Sequence, residues 1–227
     1  VHILISGRTL HGKSTLAKAR CRAFNANGIE TIVIDPTCDP AWNATLQFRD
    51  QTAFLRAYWA SESCAVFLDE GSKSVGKYNL NTEETATLGR HRGHINHYIV
   101  QRVTQIPPTV RDQCTELFLF SSSTKDGHIL AEEYGFDALR ECNELAKGEY
   151  FHASLETKTC IKKSVWKGAK NATTDSTGGH RSDGNRSRVA DARGTKNGSG
   201  EAATAAETGT GNAGESGSGA SSCGVAN

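Results

Sequence analysis

The stretch Gly7-Arg8-Thr9-Leu10-His11-Gly12-Lys13-Ser14, followed by Thr15, fits the pattern G-x-x-x-x-G-K-[ST]. Between a strand and a helix, such a loop has a definite chemistry. Its glycines let the backbone fold tightly around phosphate oxygens, successive N–H groups point inward, and the helix N-terminus adds a potential that favours an anion. Lys13 is then placed to reach the β- and γ-phosphates of ATP, and Ser14 to ligate Mg2+. Further along, Ala65-Val66-Phe67-Leu68-Asp69-Glu70 is an apolar run closed by two carboxylates, which are costly at a buried sheet edge unless they have work there. Asp69 suits magnesium held through water. Glu70 suits a base that polarises water for attack on the γ-phosphate, close to the metal but not on it. A third run, Tyr98-Ile99-Val100-Gln101, ends in an amide that can sense the γ-phosphate or orient the lytic water.

Other candidates have plainer readings beside the functional ones. His91, His94 and His97 recur at three-residue spacing, but no cysteine or carboxylate is spaced to complete a metal site, so a solvated basic loop is expected. Lys73, Lys77, Arg90 and Arg92 are either pore-lining phosphate contacts or an ordinary charged surface. Trp42, Tyr58 and Trp59 are expected in core or interface rather than as base-stacking platforms. Cys21 and Cys64 look like small buried apolar residues.

To bring the loop, the carboxylates and the amide together, the chain needs a parallel sheet with crossover helices, and its patterning supplies one. Apolar runs of strand length occur at His2 to Ser6, Thr31 to Asp35, Ala65 to Asp69, Tyr98 to Gln101 and Glu116 to Phe120. Between them, Lys13 to Phe24, Thr52 to Ala60 and roughly Thr82 to His91 read as helices, the first stopped by Asn27-Gly28. Asp126 to Tyr134 and Asp137 to Leu145 predict two more helices, ahead of a sixth run at Glu149 to Leu155. Pro107 and Pro108 block regular helix, although Pro108 can open a short one through Arg111. The fold class expected is α/β, a P-loop domain with a mostly parallel central sheet flanked by helices.

Composition places the end of that domain near residue 155. After Trp166 the chain has no aromatic residue and almost no Val, Ile or Leu, so it cannot build a core there. Residues 156–196 are expected to form a basic linker, and residues 197–227, mostly Gly, Ala, Ser, Thr and Asn, a disordered low-complexity tail. The net charge of +1 is close to neutral, and the basic segment is either a contact for nucleic acid or a solvated linker, the latter being expected. Seven cysteines, an odd number without a C-x-x-C pair, and the lack of a long apolar stretch lead to the expectation of a cytoplasmic protein with reduced thiols.

Taken in order, the P-loop, Leu68-Asp69-Glu70, the basic Gly89-Arg90-His91-Arg92-Gly93, Gln101-Arg102, and Ile106-Pro107-Pro108-Thr109-Val110-Arg111 carry a resemblance. Over about residues 2–155 the chain is similar to the FtsK–HerA group of P-loop motors, and most similar to the small genome-packaging ATPases of tailless, internal-membrane viruses such as the tectivirus group. The resemblance implies a RecA-like sheet of the additional-strand kind, a homo-oligomeric ring of six, translocation of double-stranded DNA, and docking on capsid or membrane-vertex proteins. It matches Lys13 and Ser14 to the nucleotide loop, Asp69 and Glu70 to the magnesium and water carboxylates, and Gln101 to the sensor. For an arginine finger acting in trans, Arg90 and Arg92 come first, with Arg102 and Arg111 as rivals. A small-molecule or nucleotide kinase and a non-catalytic, nucleotide-switched assembly factor are the alternatives. Only a motor should release phosphate without a small-molecule acceptor and respond to DNA.

Overall fold

The computed structural model describes residues 1–69 and 80–166, the side chains of 80–82 apart. Glu70, Lys73, Lys77 and the expected low-complexity tail therefore lie outside the described residues. Within them the strands are β1 (His2–Ser6), β2 (Thr31–Ile34), β3 (Leu46–Phe48), β4 (Ala65–Asp69), β5 (Ile95–Val100), β6 (Cys114–Phe120), β7 (Glu149–Ser154) and β8 (Thr159–Ser164). The helices are α1 (Lys13–Ala26), α2 (Gln51–Ala60), α3 (Leu80–Thr87), α4 (Pro108–Asp112) and α5 (Thr124–Tyr134), joined by several short 3-10 turns.

The described strands form one sheet in the order β3-β2-β4-β5-β1-β6-β7-β8. All pairings from β3 to β6 are parallel, and β7 and β8 return antiparallel. Because β5 lies between β1 and β4, the phosphate-loop strand and the carboxylate strand are separated by one inserted strand, as the additional-strand architecture requires. Alternate residues of the central strands enter two cores. Ile3, Ile5, Phe67 and Ile99 pack with Ala17 and Cys21 of α1 on one face, while Leu4, Leu68 and Val100 pack with α2 and α5 on the other. Trp42 and Tyr58 are fully buried, as are Cys21 and Cys64.

The structure differs from the sequence reading in five places. The sheet does not end near residue 155, because β8 pairs along β7 from Ser154↔Thr159 to Glu149↔Ser164. An edge strand needs few apolar residues, so Lys162 and Lys163 at exposed positions do not prevent it. The three-residue β3 is too short to register as a periodic signal. The helix expected over 82–91 stops at Thr87 and gives way to a 3-10 turn at Gly89–Arg92, and Asp137–Glu144 is 3-10 rather than α.

The fifth concerns histidine. His91 is exposed, but His94 and His97 are not in a solvated loop; they are buried at the start of and within β5. Their nitrogens are consumed by the fold. His97 Nδ1 donates to carbonyl oxygens of Val66 and Ile95 at 3.1 and 3.2 Å, its Nε2 accepts from Arg20 Nε at 3.3 Å, and the ring stacks on Phe67. His94 Nε2 donates to the Tyr58 carbonyl while Nδ1 accepts from Cys64 N–H. His2 is held in the same way between Ala86 O and Asn96 N. Each ring thus works as a neutral donor–acceptor, which the imidazolium cannot be.

Burial, reinforced by the Arg20 charge, pushes the His97 pKa down to about 3, and burial with the N-terminal charge pushes His2 down to about 4. In the unfolded chain both titrate near 6.5, so acid protonates the unfolded state first. Their contribution to stability is complete above about pH 6.5 and is lost as pH falls toward the folded values. Between pH 6 and 5 we expect stability to fall by about 1 kcal/mol per pH unit for each of the two histidines. Urea unfolding midpoints over this range measure the slope, and His97→Gln should make it shallower whatever its effect on absolute stability.

Candidate nucleotide site

The C-terminal edge of a parallel sheet is where loops leave the strands and a ligand crevice opens. Here β1 runs from Ser6 straight into the phosphate loop. Gly7 has φ +143°, and a Cβ on it would come within 2.6 Å of Phe120 Cβ, so both conformation and space demand glycine. Gly12, at φ +111°, stands at the N-cap of α1 with no side-chain cap. The first N–H groups of the helix are therefore left for a ligand. The loop is pinned at its base by Gly7 N to Val100 O, 3.3 Å, and Arg8 N to Ser121 O, 2.8 Å.

Lys13 is buried and folds back over the loop, its ammonium donating to the Gly7 carbonyl at 2.7 Å and the Arg8 carbonyl at 3.0 Å. These contacts hold the charge at the loop's mouth. Burial, then the Arg8, Lys13 and Lys147 charges, lower the His11 pKa. Arg8, Thr9, Leu10, Ser14 and Thr15 are exposed around it.

A cavity of about 470 Å³ opens at this edge, lined by Thr9, Leu10, Gly12 to Thr15, Asp69, Gln101, Lys147 and Trp166. The expected magnesium carboxylate and sensor amide thus share one space with the phosphate loop. Topology explains why: Asp69 ends β4 and pairs in register with Ile99, Gln101 follows directly on β5, and Ser6 lies beside Val100. The hydroxyl of Ser14 and the carboxylate of Asp69 are hard oxygen donors facing the same cavity, a set that fits Mg2+ held jointly with phosphate oxygens. Gln105 fixes the start of the following segment by accepting from the N–H groups of Gln101 and Arg102 at 3.2 and 2.8 Å.

Comparison with solved structures shows which fold this is. The genome-packaging NTPase B204 of Sulfolobus turreted icosahedral virus 2, in complex with ATP-γS, superposes with a TM-score of 0.60 at 17% identity, covering 73% of this chain and 97% of that one. The chain has the fold of a viral genome-packaging NTPase. The DNA-packaging ATPase B204 of Sulfolobus turreted icosahedral virus gives a TM-score of 0.58 at 17% identity, covering 71% of this chain and 95% of that one. The pCW3 conjugation coupling protein TcpA with ATP-γS gives 0.55 at 14% identity, over 72% of this chain and 59% of its own length. No protein-family model matches the sequence, and no curated protein matches it. The resemblance read from the motifs is thus met at the level of fold, and the chain covers the two B204 structures almost end to end but only 59% of TcpA.

Within this NTPase fold the four arginines separate. Arg90 and Arg92 sit in the turn before β5, the opposite end of that strand from Gln101. Arg90 reaches Gln113 Oε1 at 3.4 Å and Arg92 pairs with Glu62 at 3.3 Å, both on the surface. Arg111 is committed elsewhere: its guanidinium clasps Glu133 and donates to the Val103 and Ile106 carbonyls at 3.3 and 2.9 Å. Lys147 and Trp166 carry no role in the sequence reading, yet both line the cavity. The sequence signal for Trp166 was the apolar pair Val165-Trp166 after Lys162-Lys163-Ser164, and none pointed to Lys147.

Proposed function

We propose that this chain is an ATPase that translocates double-stranded DNA, working as a homo-oligomeric ring, with packaging of a viral genome into a preformed capsid as its biological use. The observation that carries the reading is the convergence, in one cavity, of the phosphate loop, Asp69 and Gln101 from the adjacent ends of β1, β4 and β5. The loop N–H groups and Lys13 bind and orient the triphosphate, Ser14 and Asp69 hold the metal, and Gln101 positions the attacking water near the γ-phosphate. Glu70, which follows Asp69 in sequence, takes the proton from that water. Magnesium held by Ser14 and Asp69 would supply charge neutralisation for the transferring phosphoryl group.

The similar structures are named for genome packaging and conjugation coupling, which supports DNA as the translocated partner. A ring of six and docking on capsid or membrane-vertex proteins complete the proposal. Among the described residues no helix is long and apolar enough to cross a membrane. The test is phosphate release with and without long double-stranded DNA, on material sized by light scattering. We expect release without any small-molecule acceptor and stimulation by DNA. Release that depends on adding a phosphate acceptor would replace the motor with a kinase, and tight ATP binding without turnover would replace it with a switch.

A further inference from the structure

The cavity has two unequal walls. Asp69 and Gln101 lie on the β4–β5 side of the phosphate loop, whereas Lys147 and Trp166 come from the other side, beyond β6. The antiparallel return makes this possible. Tyr150 pairs with Phe120, and Glu149 with Ser164, so the residues entering β7 and leaving β8 both emerge at the edge where the loop sits. Their position is tied to the loop by backbone bonds: Gly148 N donates to His11 O at 3.1 Å, and Val165 N to Gly148 O at 2.9 Å. The Trp166 indole is seated on Gly148, where a Cβ would fall 2.0 Å from Nε1. About half of Trp166 is nevertheless exposed, at 49%, and Leu10 across the loop is 81% exposed.

A triphosphate whose terminal phosphate lies by Asp69 and Gln101 must run its nucleoside away from them, toward this second wall. We propose that Trp166 is the base platform of the site: the nucleobase stacks on the open part of the indole, with the Lys147 ammonium on the sugar–phosphate side. This rests on the nucleotide reading above and adds a determinant that the phosphate loop does not provide. An aromatic face accepts any base, but a purine covers more of it, so the site favours ATP over pyrimidine triphosphates. Stacking of a base on an aromatic side chain is worth roughly 5- to 150-fold in affinity when removed by alanine substitution.

The experiment compares AMPPCP with inorganic tripolyphosphate on the full chain, by calorimetry and by tryptophan fluorescence. Trp42 is fully buried and Trp59 lies on α2, so fluorescence that AMPPCP changes and tripolyphosphate does not reports Trp166. Trp166→Ala should weaken AMPPCP by roughly 5- to 150-fold and leave tripolyphosphate affinity unchanged, while Trp166→Phe should keep most of the AMPPCP affinity. If Trp166→Ala binds AMPPCP like the parent, or loses both probes equally, the base platform is overturned although the phosphate loop stands. If Trp166→Ala does not fold, equal affinity of the parent for the two probes together with an unchanged fluorescence overturns it. If the parent binds neither probe, the nucleotide reading falls and takes this proposal with it.

Discussion

Lys13→Ala should abolish nucleotide binding, whereas Glu70→Gln should keep ATP bound and lose most turnover. The two residues act at different moments. Lys13 supplies a buried ammonium held over the loop by the Gly7 and Arg8 carbonyls, so it is already in place when phosphate arrives. An ammonium so placed interacts with the triphosphate in ground and transition states alike, and its loss appears as lost affinity. Glu70 acts only when water is deprotonated, so its amide isostere should lower kcat by about 10² to 10⁴ without weakening ATP. Calorimetric titration reads the first effect and single-turnover phosphate release the second. Thermal melts of both variants should stay close to the parent, since the Lys13 partners are loop carbonyls that water can solvate. Hydrolysis by Glu70→Gln at the parent rate would remove Glu70 as the base; ATP affinity unchanged in Lys13→Ala would remove the loop as the phosphate site.

The part of the site legible in the sequence was the part written in residues next to strand ends. Parallel strands leave their loops at one edge, so Ser6-Gly7, Asp69 and Gln101 needed only the strand assignment to be placed together. The second wall was not legible because its residues depend on a hairpin that composition conceals. In Thr159-Cys160-Ile161-Lys162-Lys163-Ser164 the lysines read as linker, yet an edge strand gains its stability from main-chain pairing with β7 and exposes most of its side chains. The buried histidines show the converse failure. His94 and His97 occur beside Arg90 and Arg92, and charge alone made the whole segment look solvated. What holds them is a set of carbonyl and N–H partners on Tyr58, Cys64 and Val66, brought near only when β5 pairs with β4 and the end of α2 packs beside them.

If the chain works as the proposed ring, a neighbouring subunit should be needed for hydrolysis, with Arg90 and Arg92 as its contribution. The six residues of β5 separate them from Gln101, a span of about 20 Å at strand rise. Neither guanidinium can serve the cavity of its own chain, but in a head-to-tail ring each subunit presents a different surface to the next one's site. Their present partners would release them at little cost, because the Arg92–Glu62 pair is exposed on both sides at 43% and 73% and such pairs contribute little. Arg111 lacks this freedom, with its side chain only 10% exposed in its clasp on Glu133. Arg102 adjoins Gln101 at the subunit's own cavity edge, which makes it the control. A finger arginine is worth about 10³ to 10⁵ in rate. Arg90→Ala/Arg92→Ala should therefore be nearly silent while still binding ATP, and the specific activity of the parent should rise steeply with protein concentration as rings form. DNA threaded through the ring should raise activity further by favouring assembly. Mixing the double variant with Glu70→Gln should restore activity from two inactive parents, because some interfaces then join an intact finger to an intact base. Activity independent of concentration, with both arginines dispensable, would exclude this pair, and loss on Arg102→Ala without rescue on mixing would place the cation in the same chain.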